Sequence, residues 1–195
     1  MYSKHGRIGV IALVAAVALG FSPAAAQQTS SSPREVFTAN AVNNSNIGTA
    51  GITRVEIGIT RWSTDGETEH LLSVFNEQGP KALLNALQKT QPVGYIRTPG
   101  SLAYDLRYAR ELASEETGGR RIVLGTDRPM GFFEATEQPR TSEYPFTIIE
   151  LRLNPKNQGV GKLSYATKLT SVGGVLVIEN FADQPIVLNN VKKER

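Results

Sequence analysis

No cysteine occurs anywhere in the 195 residues. That excludes a disulfide, a cysteine nucleophile and a lipid carried on a cysteine. Histidine is nearly as scarce, with only His5 and His70. A single imidazole in the body of the chain leaves little from which to build a histidine-activated serine, and no Gly-x-Ser-x-Gly elbow is present. Long apolar runs are missing too. After Ile8 to Phe21 no stretch approaches the length needed to cross a bilayer, and that first one is itself short for the purpose.

What stands at the N-terminus has the pattern of an export signal. Lys4 and Arg7 form a basic region, Ile8 to Phe21 an apolar one, and Ala24-Ala25-Ala26 a cleavage site before Gln27. No arginine pair precedes the apolar run, which favours the general secretory route over the twin-arginine one. Residues 1–26 are therefore expected to leave, and the working protein to be periplasmic or secreted, without a stable membrane anchor. Of the 21 Lys+Arg and 18 Asp+Glu, Lys4 and Arg7 go with the signal. The remainder is almost electrically neutral, so a broad attraction to nucleic acid is not expected. About 169 residues are left, the size of one domain with its own core.

Residues 27–50 are rich in Ser, Thr, Asn and Gln and are expected to be a flexible leader, with Val36 and Phe37 docking locally at most. From residue 51 to 195 the chain is expected to be a single β-rich domain. Ile52 to Trp62 alternates Val55, Ile57 and Ile59 with polar residues, the signature of a strand buried on one face. The period then changes. Thr64-Asp65-Gly66-Glu67 has capping-box spacing, Leu71, Leu72 and Phe75 follow at helical intervals, and Gly79-Pro80 is placed to end one helix and start another. Leu83, Leu84 and Leu87 continue the pattern to Lys89. Residues 64–90 thus read as a helical hairpin.

Beyond it the period returns to two. Strands are expected at Val93 to Arg97, Leu102 to Tyr108, Arg121 to Thr126, Phe132 to Thr136 and Phe146 to Leu153. Three more are expected at Val160 to Leu169, Val175 to Asn180 and Ile186 to Val191. Asn154 to Gly159 and Gly173-Gly174 read as turns. No helical crossover separates these strands, so the expectation is an antiparallel meander, either a sandwich or a small barrel, with two short helices between its first and second strands. In order of elements alone this resembles the helical lid of small lipid-binding barrels.

The segments Arg61 to Asp65, Leu83 to Lys89, Gly94 to Pro99 and Asp105 to Arg110 resemble those of a set of exported bacterial proteins without an assigned function. The resemblance implies an exported protein and assigns no activity, ligand or catalytic residue.

Glu67 and His70 lie one helical turn apart, as in di-iron sites, but the second Glu-x-x-His is missing and Glu67 already serves the cap. Asp65 beside His70 imitates part of a triad but reads as a pair of exposed positions. Glu134, Glu137, Glu143 and Glu150 are the candidate carboxylates, with no pairing evident. Gly159-Val160-Gly161-Lys162 lacks the spacer and the Ser/Thr of a phosphate loop and reads as a hairpin turn. Tyr95, Arg97, Tyr104, Arg107, Tyr108, Arg110, Arg120 and Arg121 interleave rings with guanidinium groups. They read first as cross-strand ion pairs and second as an anion or sugar site. No cofactor or metal is expected.

Two functions follow. The first is a structural or protein-interaction module of the cell envelope, its partner an envelope protein. The second is a barrel for a small apolar or anionic molecule, closed by the helices. Its candidate ligand-binding residues are Trp62, Leu72, Phe75, Leu84, Leu87, Tyr104, Arg107 and Tyr108.

Overall fold

Alternating side chains give most strands one apolar face, and the chain buries that face by rolling the sheet onto itself. The computed structural model describes residues 34–43, 51–114, 117–128, 146–172, 175–181 and 186–194. In chain order these form β1 (Glu35–Asn43), β2 (Gly51–Ile59), α1 (Asp65–Gln78), α2 (Pro80–Lys89), β3 (Gly94–Arg97), β4 (Tyr104–Ala113) and β5 (Arg120–Thr126). There follow β6 (Thr147–Leu153), β7 (Gln158–Val172), β8 (Val175–Phe181) and β9 (Ile186–Lys193). The expected signal peptide, the strand at Phe132 to Thr136 and the turn at Gly173-Gly174 lie outside the described residues.

Each of β1 to β6 pairs antiparallel with the next, β6 pairs with β7, β7 with β9, and β9 with β1. The circuit closes as an eight-stranded antiparallel barrel. Closure pairs both edges of every strand in the circuit. β8 stands outside it and pairs with the second half of β7, which outruns the barrel. Between sandwich and barrel the structure chooses the barrel.

Two expectations are corrected. Residues 35–43, read as part of a flexible leader, are strand β1, bonded to β2 along its whole length and to β9 on the other side. Phe37, Ala39 and Ala41 alternate into the barrel core. Two alanines look uninformative in a polar stretch, yet small side chains suit the crowded inside of a barrel. As a consequence the helices follow the second strand, not the first.

An eight-stranded barrel has an interior just wide enough for side chains to fill, and the described inward-facing side chains pack there into one buried cluster. Phe37, Ile57, Ile59, Leu106, Leu124 and Leu151 are among the fully buried members of one cluster inside the wall. Gly159 and Gly161 lie within β7, not in a turn. Each is paired opposite an inward-facing leucine of β6, Leu153 and Leu151. The turn itself is the preceding segment. There the Asn154 side-chain oxygen accepts from the amides of Lys156 (2.9 Å) and Gln158 (3.1 Å), and Asn157 adopts a φ of 57°.

One end of the barrel is closed by charge. Arg120 donates to Glu35 (2.9 and 3.1 Å), to Glu111 (2.7 and 3.1 Å) and to the side chain of Asn157 (3.0 Å). Lys193 approaches Glu35 from the far side at 3.3 Å. Burial by itself would raise the Glu35 carboxyl, but the bonds and charges of Arg120 and Lys193 outweigh it and hold it below the usual carboxylate range.

The helical pair forms as its spacing predicts. Thr64 Oγ1 accepts from the amide of Glu67 at 3.2 Å, and the Glu67 carboxylate accepts from the amide of Thr64 at 2.8 Å, completing the capping box. Gly79 joins the helices at φ 80°, ψ −172°, with Pro80 opening the second. This is not the left-handed helical conformation expected of a C-cap glycine. It is a region open to glycine almost alone. A Cβ at Gly79 meets nothing within 4 Å, so any penalty there is conformational rather than steric. Gly79→Val is expected to lower stability by about 2 kcal/mol in a urea titration. An unchanged midpoint would show that the turn relaxes freely.

Candidate functional site

The hairpin's apolar stripe decides where a ligand could go. Leu71, Leu72, Leu83 and Leu87 pack on Tyr108, Val123, Phe146 and Ile148, with Phe75, Leu84 and Leu112 at the margin. Val123 and Ile148 belong to β5 and β6 and are flanked in sequence by residues of the barrel core, Ile122, Leu124 and Ile149. The helices therefore lie against the outer wall of the barrel and do not cap its end. Beneath the helices β5 and β6 are buried on both faces, over Ile122 to Thr126 and Thr147 to Ile149, which accounts for their consecutive apolar residues there.

The eight residues expected to bind a ligand are thus divided. Leu72, Phe75, Leu84, Leu87 and Tyr108 come together, but as a packed layer: among the described residues the hairpin's apolar side chains are buried directly against those of the wall. Trp62 and Tyr104 pack, partly buried, against the separate cluster inside the barrel.

Arg107 is occupied by the fold. It donates to Asp127 at 3.0 Å and to the carbonyl of Thr90 at 2.9 Å, and approaches Asp105 at 3.1 Å. It sets a positive charge at the C-terminal end of α2, where the helix dipole favours one. Two more arginines fasten the hairpin. Arg110 reaches the Ser63 carbonyl (3.0 Å) and Asp65 (2.8 Å) at the start of α1. Arg61 grips both Glu67 oxygens (2.8 and 2.9 Å) and the Gln91 carbonyl (3.1 Å), tying the start of α1 to the segment after α2. The Arg61 bonds, with those from Thr64, hold the Glu67 carboxyl down to about 2 against the opposing effect of burial. The interleaved arginines are therefore ion-pairing residues, as their first reading has it.

Glu67 is thereby spent on the cap and on Arg61, while His70 lies exposed. Glu150 is held by Arg121 (2.9 Å) and Arg152 (2.7 Å). Glu134, Glu137 and Glu143 lie outside the described residues. Among the described residues no three His, Asp or Glu side chains are grouped to hold a metal ion.

A different surface has the character of a site. On the outer face of β2 the residues are Ile52, Arg54, Glu56 and Gly58, opposite Thr38, Asn40 and Val42 of β1. Between Thr38 and Asn40 the register against β9 slips, because β9 carries an extra residue there and Asn190 turns to a φ of 52°. Such a bulge bends the strand and re-aims its side chains. It opens a shallow groove of about 210 Å³ lined by Thr38, Ala39, Asn40, Arg54, Asn190, Lys192 and Glu194. On the other side of Arg54 a larger depression of about 500 Å³ runs between Glu56 and Arg97 to the turn Thr98-Pro99-Gly100-Ser101. Arg54 borders both.

The walls of this double groove are fixed by hydrogen bonds. Glu56 Oε1 accepts from the Tyr95 hydroxyl and from Arg97, each at 2.7 Å, and Arg97 lies over the Tyr95 ring at 5.2 Å. Burial first, and the hydrogen bond to Glu56 second, push the Tyr95 phenol up, so it remains a donor. Ser101 Oγ accepts from the amide of Thr98 (3.1 Å) and its hydroxyl (2.8 Å), which holds the turn shut. The Thr38 hydroxyl donates to Glu194 at 2.7 Å and is the main reason that its carboxyl sits below the ordinary value. Sequence reading missed the surface because β1 and the bulge in β9, which build half of it, were not legible as such. The Arg54/Glu56 alternation and the Pro99-Gly100 turn were visible signals.

Comparison with protein-family models, with curated proteins and with solved structures returned no match.

Proposed function

We propose that the protein is an exported interaction module of the bacterial cell envelope, acting without catalysis, and that it meets its partner on the outside of the barrel wall. One observation carries this reading: among the described residues, the inward faces of the barrel strands and the apolar stripe of the helices are each buried in a cluster of packed side chains. This favours the outer surface for a ligand, and among the described residues the double groove around Arg54 brings convergent polar groups to that surface. The export signal read at residues 1–26 supports the address.

A photo-crosslinking side chain at Ser101, with a second variant bearing it at Lys81 on the exposed side of α2, tests the proposal in the cells that make the protein. The expected result is a discrete protein adduct from Ser101 in the envelope fraction and none from Lys81. Intact mass is expected to show residues 1–26 removed. No adduct at Ser101, or a small molecule bound stoichiometrically to the purified protein, would overturn it.

A further inference from the structure

We propose that the double groove takes an extended segment of a partner protein in which acidic and apolar side chains alternate. The inference rests on the interaction-module reading and adds the chemistry of what is bound.

Charge is the first argument. Arg54, Arg97 and Lys192 face Glu56 and Glu194 along the groove, a cationic surplus where residues 27–195 as a whole are close to neutral. Both acids are engaged by wall hydroxyls, Glu56 by Tyr95 and Glu194 by Thr38. Arg54 is different. Its ion pair among the described residues is with Glu194 at 3.8 Å, beyond hydrogen-bond distance, and its side chain is 65 % exposed. A guanidinium so placed at the junction of two depressions offers its planar fork to an incoming carboxylate.

Apolar exposure is the second and independent argument. Among the described residues three large hydrophobic side chains are exposed, and two of them flank this groove. Ile52, 73 % exposed, precedes Arg54 by two residues on the same face of β2. Leu102, 89 % exposed, follows the Ser101 that closes the groove's far wall. Ile52 lies opposite Val42, and Val42 opposite Val187, so an apolar strip runs across three strands beside the cations. Alternating acidic and apolar side chains match both strips at once, and an extended strand has that period.

A nucleic acid fits less well. Stacking on a base needs an open aromatic face. Tyr95, the ring of this region, lies across Gly58 on one side and under Arg97 on the other.

The test is fluorescence anisotropy on the exported protein with three probes. These are a labelled peptide alternating Glu with Leu, its counterpart alternating Lys with Leu, and vesicles containing phosphatidylglycerol. The Glu/Leu peptide is expected to bind, more weakly as salt is raised. Arg54→Glu should weaken it about tenfold and Leu102→Ser about fivefold, while Lys81→Glu leaves it unchanged. Equal binding of the Lys/Leu peptide, an equal loss in Lys81→Glu, or Arg54-dependent binding of the vesicles alone would overturn the proposal. A Ser101 adduct without peptide binding would refute the acidic–apolar chemistry and leave the interaction module standing. Loss of both would remove the module as well.

Discussion

Gly94→Ala is expected to lower the stability of the barrel by about 3 kcal/mol, which for a domain of this size is a fall in Tm of roughly 6–12 °C. Gly94 opens β3 and is paired with Ile59 of β2 on one side and Leu106 of β4 on the other. A Cβ there would overlap the carbonyl oxygen of Gly58 and press on the Cα of Ile59. Those are backbone atoms, and β2 cannot retreat because β1 is bonded to its far edge. Gly58 supplies the contrast within the same ladder. Its added Cβ would meet only the outer end of the Tyr95 ring, a side chain free to swing at the loss of its bond to Glu56. Gly58→Ala should therefore cost about 1 kcal/mol. Urea titrations of the two variants check the pair, and equal midpoints would show that the β2–β3 contact yields as readily as a side chain.

The second large effect is expected at the closed end of the barrel. Arg120→Met should destabilise by about 2–3 kcal/mol at neutral pH, a little under the loss from breaking a fully buried pair, because the group retains some contact with solvent. The substitution takes Arg120 from both Glu35 and Glu111, and among the described residues Glu35 keeps Lys193 at 3.3 Å. The loss should depend on pH in a defined direction. The Glu35 pKa is depressed in the folded protein, so its contribution is fully present above the unfolded carboxylate range and lost as pH falls through the folded value. Glu67, held down to about 2, extends the same acid loss between about 4.5 and 2 in both proteins, since Arg61 is untouched. The gap between native and Arg120→Met is therefore expected to be widest near neutrality and to narrow below about pH 4. A gap constant from pH 7 to pH 3 would mean that Arg120 acts through packing and not through charge.

These two positions show how little of the cationic inventory is left for recognition. Arg61, Arg107 and Arg110 fasten the helical pair, Arg120 plugs the barrel, and Arg121 with Arg152 holds Glu150. Of the two arginines on the groove, Arg97 is paired with Glu56 at 2.7 Å while Arg54 has its carboxylate, Glu194, at 3.8 Å, and for that reason Arg54 carries the proposed contact.

Local spacing was enough to place the helical hairpin. A hydroxyl three residues before a glutamate, a glycine before a proline and leucines one turn apart are short-range facts, and each is satisfied within its own segment. The same holds for strands such as β2, β5 and β6, whose side-chain period and composition declare them. The near-neutral balance of residues 27–195 and the missing cysteines likewise needed no coordinates. Tertiary structure decided the rest. Phe37-Thr38-Ala39-Asn40-Ala41 reads as a weak polar stretch until the barrel supplies an interior that suits two alanines. The hairpin's apolar stripe specifies that it must be covered, but only the outward faces of Tyr108, Val123 and Ile148 determine by what. An arginine's partner is likewise chosen by register between strands far apart in the chain. Periodicity records which face a residue shows; which surface meets that face depends on volume and closure, and those exist only once the chain has folded.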